Sequence, residues 1–370
     1  MPAKQTPLLT VHRELGANLV EFAGYLMPLR YGSETAEHQA VRTGAGLFDL
    51  SHMGEIFVSG LGAAAALDYA LVGYLSALRV GKARYTMICE AAGGVLDDII
   101  VYRLAPETFM VVANAANVAT VRGALAERAE GFEAVVDDRS DSYALIAVQG
   151  PHAQQILGKL TEAPLGDLKY YAILAEQVAG IDALIARTGY TGEDGFELFV
   201  TASDAVRLWR ELAASPGLVP AGLSARDTLR LEAGMPLYGN ELTIETTPYD
   251  AGLGRVVKLD KPGDFVGRAA LAARADTPPG RTLVGLVARG RRVPRHGHDV
   301  VTAGEDGGTP CGVVTSGAPS PTLGKPIAMA YLNAGYASPE SGTAVDLAVD
   351  IRGKREAVDV VALPFYRRPS

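Results

Sequence analysis

The run Glu55-Ile56-Phe57-Val58-Ser59 has the length and the β-branched and aromatic content of a strand. Gly60-Leu61-Gly62 then turns the chain into an Ala-rich stretch, Ala63 to Leu71, whose composition predicts a helix. Tyr85 to Cys89 and Val95 to Arg103 are two further strand patterns on either side of Gly93-Gly94, a hairpin signal. Phe109 to Ala113 reads as another strand, and Val118 to Ala129 mixes apolar and charged residues at helical spacing.

The same order recurs further along. A strand at Ala144 to Val148 leads through Gly150-Pro151 to a helix at Ala153 to Leu160, a hairpin within Ala183 to Val200, and a helix at Ala205 to Ala213. The expectation is an α+β fold with two lobes of the ferredoxin-like, split β-α-β kind. They should occupy about 1–140 and 141–275, together a region 1–275. Paired prolines in Ala275-Asp276-Thr277-Pro278-Pro279-Gly280 mark a linker. Beyond it, Thr282 to Val287, Gly312 to Thr315, Ile327 to Leu332, Ala344 to Val349 and Ala357 to Val361 are short strand patterns broken by Gly, Pro and Asp. The stretch 281–370 should therefore be an all-β barrel or sandwich.

Composition narrows the function more than the fold. A chain of 370 residues exceeds one small core. Its net charge of −8 disfavours binding to nucleic acid or to an anionic membrane surface. Cys89 and Cys311 are the two cysteines, far apart, which supports neither a disulfide framework nor a cysteine zinc site and fits a reducing, cytoplasmic location. No stretch reaches the roughly 20 apolar residues of a spanning helix.

Several chemistries fall away. Gly60-Leu61-Gly62-Ala63-Ala64-Ala65 grazes a dinucleotide fingerprint, but Arg79-Val80-Gly81 stand where a ribose-binding acid belongs. His296 and His298 flank a glycine in an Arg-rich loop without further ligand types, so no metal is expected. Neither a Gly-x-Ser-x-Gly elbow nor a Walker loop is present.

Four segments remain: Asp49-Leu50-Ser51-His52-Met53-Gly54-Glu55; the Asp97-Asp98 hairpin with Tyr85 on its opposing strand; Arg187-Thr188-Gly189-Tyr190-Thr191-Gly192-Glu193-Asp194-Gly195-Phe196-Glu197; and Ser224-Ala225-Arg226-Asp227. With Phe22-Ala23-Gly24-Tyr25, Leu229-Arg230-Leu231-Glu232-Ala233-Gly234, Leu237-Tyr238-Gly239-Asn240-Glu241 and the terminal Pro364-Phe365-Tyr366, the chain closely resembles the aminomethyltransferase (T-protein) family of the glycine cleavage system. The resemblance implies a three-lobed cloverleaf around a central folate channel. It also implies transfer of a one-carbon unit from the aminomethyl-lipoyl arm of the H-protein to tetrahydrofolate, with release of ammonia. The products would be 5,10-methylenetetrahydrofolate and a reduced lipoyl arm.

Carried onto this sequence, the resemblance makes Asp98 the catalytic acid, as base or as electrostatic anchor, and leaves Asp97 outside the match. Glu197 would accept the paired N–H donors of the pterin, although alone it would also pass for an outward-facing strand residue. Arg226, in the first turn of a helix capped by Ser224 with Asp227 completing a capping box, would hold the far end of the folate, or else be a surface cation. Met53, Tyr85, Asn114 and Tyr190 would line the channel and Tyr366 would close it; each alone would also fit core packing. Two rival functions are a folate-dependent demethylase of the same superfamily and a non-catalytic folate-binding assembly factor, whose motif cysteine is absent here. The basic run Arg289-Gly290-Arg291-Arg292 with Arg295 is a candidate docking patch for an acidic lipoyl carrier.

Overall fold

The chain begins with β1 (Lys4–Gln5), α1 (Leu9–Glu14), β2 (Asn18–Phe22), β3 (Tyr25–Arg30), α2 (Glu34–Thr43) and β4 (Ala45–Asp49). β1, β3 and β2 make a small sheet, and the β2–β3 turn uses left-handed backbone at Ala23 and Gly24. Next come β5 (Gly54–Ser59), α3 (Ala63–Ala70), β6 (Lys82–Cys89), β7 (Val95–Ala105), β8 (Thr108–Ala113), α4 (Val118–Arg128) and β9 (Val135–Asp138). They form a five-stranded sheet in the order β6-β7-β8-β5-β9. Without the edge strand β6 this is the strand order of a split β-α-β unit. Ile56, Val58, Ile99, Val101, Phe109 and Val111 pack against Leu67 of α3 and Val121 and Leu125 of α4, so the helices cover one face. Gly60 and Gly62 are required where the chain leaves β5, because a Cβ at either would run into the backbone of Glu133.

The second set is β10 (Tyr143–Gln149), α5 (Ala153–Leu157), β11 (Ile173–Val178), β12 (Ile181–Ala186), β13 (Gly195–Thr201), α6 (Ala205–Ala213), β14 (Leu218–Pro220) and α7 (Leu223–Glu232). Its sheet runs β11-β12-β13-β10-β4-β14. The repeated topology is the one the sequence suggested, with one insertion: β4 lies between β10 and β14, antiparallel to the first and parallel to the second. Leu8, Val11, Ala45 and Leu47 accordingly belong to this second core, beside the helix face Ala205, Leu208, Trp209 and Leu212. A buried chain of hydrogen bonds pins the N-terminal segment there. Tyr31 Oη meets His12 Nδ1 at 2.8 Å, His12 Nε2 meets Asp49 Oδ2 at 2.8 Å, and Thr6 Oγ1 donates to the same oxygen at 2.7 Å. Burial would raise the Asp49 carboxyl, but the bonds from His12 and Ser51 outweigh it and hold the group below the usual range.

These two sheets lie in one compact unit, Met1–Cys89 with Leu96–Arg226 and Lys258–Val266. They face one another through their helix-free sides, where Tyr102 meets Phe199 edge-on at 5.6 Å and Phe57 stacks on Tyr143 at 5.6 Å. Along an edge, Lys82 bridges to Ala172.

The other unit comprises Glu90–Val95, Asp227–Val257 and Gly267–Ser370. After α8 (Arg268–Ala275), the strands β15 (Arg281–Ala288), β16 (Asp299–Thr302), β17 (Pro310–Ser320), β18 (Lys325–Asn333), β19 (Leu347–Ile351) and β20 (Lys354–Val361) close into a barrel. It is a barrel and not a sandwich, and β16 has no counterpart among the expected strands. The motif at the end of α7 anchors to it. Leu231 packs on Ala318, Ile327 and Met329, buried Arg230 reaches Glu241 (3.0 Å) and Ser316 (2.8 Å), and Glu232 accepts from Thr322 Oγ1 at 2.8 Å. The computed structural model describes residues 2–303, 308–336 and 346–369, so Ala344 and Val345 of the expected strand fall outside the described residues. Among those described, no helix is long and apolar enough to cross a membrane.

Candidate active site

The glycine pair turns the chain before β7 as expected: Gly93 is left-handed at φ 91°, and a Cβ on Gly94 would strike the Ile244 carbonyl. Two residues into β7, the strand's alternation sends Asp97 and Asp98 to opposite faces. Asp98, half-buried, joins the inter-sheet face with Ile100 and Tyr102. Tyr85 Oη on β6 donates to Asp98 Oδ2 at 3.0 Å, and Asn114 Nδ2, at the end of β8, donates to Asp98 Oδ1 at 2.9 Å. Tyr85, Asn114 and Asp98 are thus brought together. Asp97 is fully buried on the helix side, and burial, with the Asp98 charge adding, pushes its carboxyl up to about 7 against three donors that favour the anion.

Glu197 stands on β13 between Ala147 of β10 and Ala186 of β12, two small neighbours that leave its side chain room. Thr188 Oγ1 donates to its Oε2, and Tyr102 Oη, from the opposing sheet, donates to the same oxygen at 3.4 Å. Burial raises the Glu197 carboxyl, opposed by the Thr188 bond, the Arg226 charge and the Tyr102 bond. The Gly-rich segment before it wraps a buried side chain: Gln149 Nε2 donates to Thr188 O at 3.0 Å and Thr191 Oγ1 donates to Gln149 Oε1 at 2.9 Å. Gly189 and Gly195 are glycines because a Cβ at either would collide with Gln149. Arg42 locks the loop from behind through Thr191 O (2.7 Å) and Glu193 Oε1 (2.9 Å).

Arg226 lies over the Tyr190 ring, 4.7 Å from its centroid, and within electrostatic reach of Glu197. The capping-box reading of its helix does not hold. α7 starts two residues earlier, at Leu223, Arg226 N–H donates to Gly222 O, and Gly222 N–H is taken by Glu37 Oε2 at 2.9 Å. Ser224 is inside the first turn, and Asp227 pairs with Arg230 at 2.7 Å. Met53 is half-buried in the turn after β4. The residue before it, His52, is buried between Phe22 and Tyr25, with no hydrogen-bond partner for Nδ1 among the described residues. Burial lowers this imidazole to about 4, the Arg226 charge adding and Asp49 opposing, so it stays neutral beside the guanidinium.

Three participants escape sequence reading. Tyr102 looks like core yet holds Glu197; Thr188 looks like turn chemistry yet does the same. Tyr171 carries a left-handed backbone at φ 57°, and its phenol is raised chiefly by burial and then by the charges of Tyr170, Glu197 and Asp98. Asp98 and Tyr102 lie on the same face of β7, and Tyr102 Oη reaches Glu197 on the opposing sheet, so both carboxylates belong to the inter-sheet face. Tyr366 belongs to the other unit, where its N–H donates to Glu232 O at 2.8 Å.

Elsewhere, two arginines of the basic run have acid partners: Arg289 pairs with Asp359 (2.8 Å) and Asp346 (3.4 Å), and Arg292 with Glu356 (3.5 Å). His296 Nδ1 engages Thr315 O, and His298 Nδ1 accepts from Arg295 N. Among the described residues no three His, Cys, Asp or Glu side chains cluster as metal ligands.

Comparison with known proteins identifies the family of the chain. Residues 8–261 match the family model of the GCVT N-terminal domain, and residues 281–367 match that of the glycine cleavage T-protein C-terminal barrel domain. An aminomethyltransferase of Streptomyces avermitilis is 64% identical over 99% of this chain and 98% of that protein. One from Bacillus subtilis is 42% identical over 99% of each. The crystal structure of the glycine cleavage system aminomethyltransferase T from Bartonella henselae superposes with a TM-score of 0.91 at 37% identity, covering 99% of this chain and 98% of that one. With both family models matched in order and identity sustained along its whole length, the chain belongs to the glycine cleavage T-protein family.

Proposed function

We propose that this chain is the aminomethyltransferase of a glycine cleavage system. It moves the one-carbon unit from the aminomethyl-lipoyl arm of H-protein to tetrahydrofolate, giving 5,10-methylenetetrahydrofolate, ammonia and dihydrolipoyl H-protein. The observation that carries this reading is a pair of carboxylates on facing sheets: Asp98 shares a face of β7 with Tyr102, and Tyr102 Oη donates across to Glu197 Oε2 at 3.4 Å.

The donor set fits a reduced pterin. Among the described residues Glu197 accepts on Oε2 from the Thr188 and Tyr102 hydroxyls, which fix the carboxylate and favour its anion, and Oε1 would be left to accept from a ligand. An anion there accepts neighbouring N–H donors of a pterin with charge-assisted bonds. Tyr85, Tyr171 and Tyr190 supply aromatic faces, Met53 a polarisable one, and Arg226 a cation for the more distant carbonyl or carboxylate groups. Tetrahydrofolate supplies the nitrogen nucleophiles that take up the carbon. Asp98, held by Tyr85 and Asn114, orients the reacting nitrogen, stabilises positive charge developing on the transferred carbon, and accepts or returns a proton as ammonia leaves.

The relatives named above are aminomethyltransferases, and this favours the reading over a demethylase or an assembly factor. A cytoplasmic location belongs to the same proposal. The test is calorimetric titration with tetrahydrofolate followed by an ammonia-release assay with aminomethylated H-protein. Binding with folate-dependent ammonia release is the expected result. Demethylation of methylated amines or sulfonium compounds without ammonia release from loaded H-protein would overturn it.

A further inference from the structure

The chemistry above uses Asp98 and leaves its neighbour without a role. Asp97 is buried to 0% exposure and points toward the start of α4. It accepts three hydrogen bonds there: from Asn114 N–H on Oδ2 at 3.0 Å, from Asn114 Nδ2 on Oδ1 at 2.8 Å, and from Asn117 Nδ2 on Oδ1 at 2.9 Å. The Nδ2 that binds Asp97 also donates to Asp98 Oδ1 at 2.9 Å and to Asp98 O at 3.1 Å. One amide group therefore ties together two carboxylates that the strand sends to opposite faces. Asp97 grips both the backbone and the side chain of Asn114, so the carboxamide is held in the single orientation that reaches Asp98.

We propose that Asp97 is a positioning residue for one-carbon transfer, fixing Asn114 and, through its Nδ2, the Asp98 carboxylate. The proposal rests on the aminomethyltransferase reading of the site. It differs from a purely structural role, in which Asp97 would only fasten the 3₁₀ turn Ala115–Asn117 and α4 to β7. A fastening group lost from a protein that still folds lowers its unfolding midpoint without separating turnover from binding. A positioning group lowers kcat while the affinity for tetrahydrofolate, which Glu197 and Arg226 would dominate, is retained.

Asp97→Asn keeps size and removes the charge, and its NH₂ cannot accept from all three donors. Full-length wild type and variant are compared for tetrahydrofolate Kd by calorimetry and for kcat with aminomethylated H-protein. The expected result is a kcat lower by about tenfold with Kd within about threefold, and an Asp97→Asn/Asn114→Ala double variant no slower than Asn114→Ala alone. A wild-type kcat, equal losses in kcat and Kd, or losses that multiply in the double variant would overturn the proposal. If Asp97→Asn is recovered unfolded, Asn117→Ala replaces it, because it takes one donor from Asp97 and leaves the Asn114–Asp98 bonds in place. A kcat fall of about threefold or more at unchanged Kd is then expected, and an unchanged kcat overturns the role. Failure of the parent reading is distinguishable, since wild type itself would then release no ammonia.

Discussion

The two acids of the site sit in different company, and that difference assigns them separable effects. Asp98 is half-buried and accepts from a phenol and an amide, whereas Glu197 is deeply buried and braced on a single oxygen. Asp98→Asn should lower kcat by about 10²–10³, with little change in tetrahydrofolate affinity. Glu197→Gln should do the reverse: its NH₂ would oppose ligand donors, and binding should weaken by about 10- to 100-fold. The pH dependence follows from burial. Only the Glu197 anion accepts two donors, and its raised pKa means that the proton returns at a higher pH than for an ordinary glutamate. Affinity should therefore fall as pH drops through that raised value, and the Gln variant should lose this dependence. Calorimetry of both variants between pH 8 and 5 reads all of this, and Asp98→Asn and Glu197→Gln losing binding and turnover alike would dissolve the division of labour.

At the scale of elements, the Gly-rich loop and β13 are shaped by what they enclose. A Cβ on Gly195 would lie 2.6 Å from Gln149 Cδ and 2.7 Å from the Val148 carbonyl; the backbone oxygen cannot move away, and the Gln149 amide is held at both ends by Thr188 O and Thr191 Oγ1. Gly195→Ala should cost about 1–3 kcal/mol through overpacking. Gly123, on the exposed side of α4 with open space around it, is the control, and Gly123→Ala should gain about 0.5–1 kcal/mol. Urea midpoints shifting in opposite directions bear this out; parallel shifts contradict it. The same contrast explains what a sequence reveals. Elements with their own period are legible: α6 falls on Ala205–Ala213 as the spacing predicts, and the barrel strands emerge between their Gly and Pro breaks. β4 is not, because its five buried residues read as any central strand and nothing local says that it will insert beside β10, about a hundred residues away. Asp98, Glu197 and Arg226 stand out in the sequence only through the family resemblance, since each alone also reads as a turn, strand or surface charge. Tyr102, Thr188 and Tyr171 do not stand out, since their roles exist only once two sheets face each other and a tyrosine adopts left-handed backbone.

Over the whole molecule, the buried acids make stability depend on pH in a direction set by this site. Asp49 is lowered and so stabilises the fold above the ordinary carboxyl range, but Glu55, Asp97 and Glu197 are raised and act oppositely. Glu55 isolates the effect best. It is 1% exposed on the inter-sheet face of β5, its Oε1 has no partner among the described residues, and its carboxyl is raised first by burial and then by Asp138 on the adjacent strand. The folded chain keeps this proton where the unfolded chain, with a pKa of about 4.3, has released it. Stability must then decline as pH rises from that value toward the folded pKa, by at most about 1.4 kcal/mol per pH unit for one proton. Glu55→Gln preserves shape, cannot titrate and lies outside the proposed folate contacts. Denaturant midpoints at pH 5, 6, 7 and 8 should fall more steeply for wild type than for the variant, with the variant the more stable at pH 8. Parallel curves would mean that Glu55 is ionised in the folded protein.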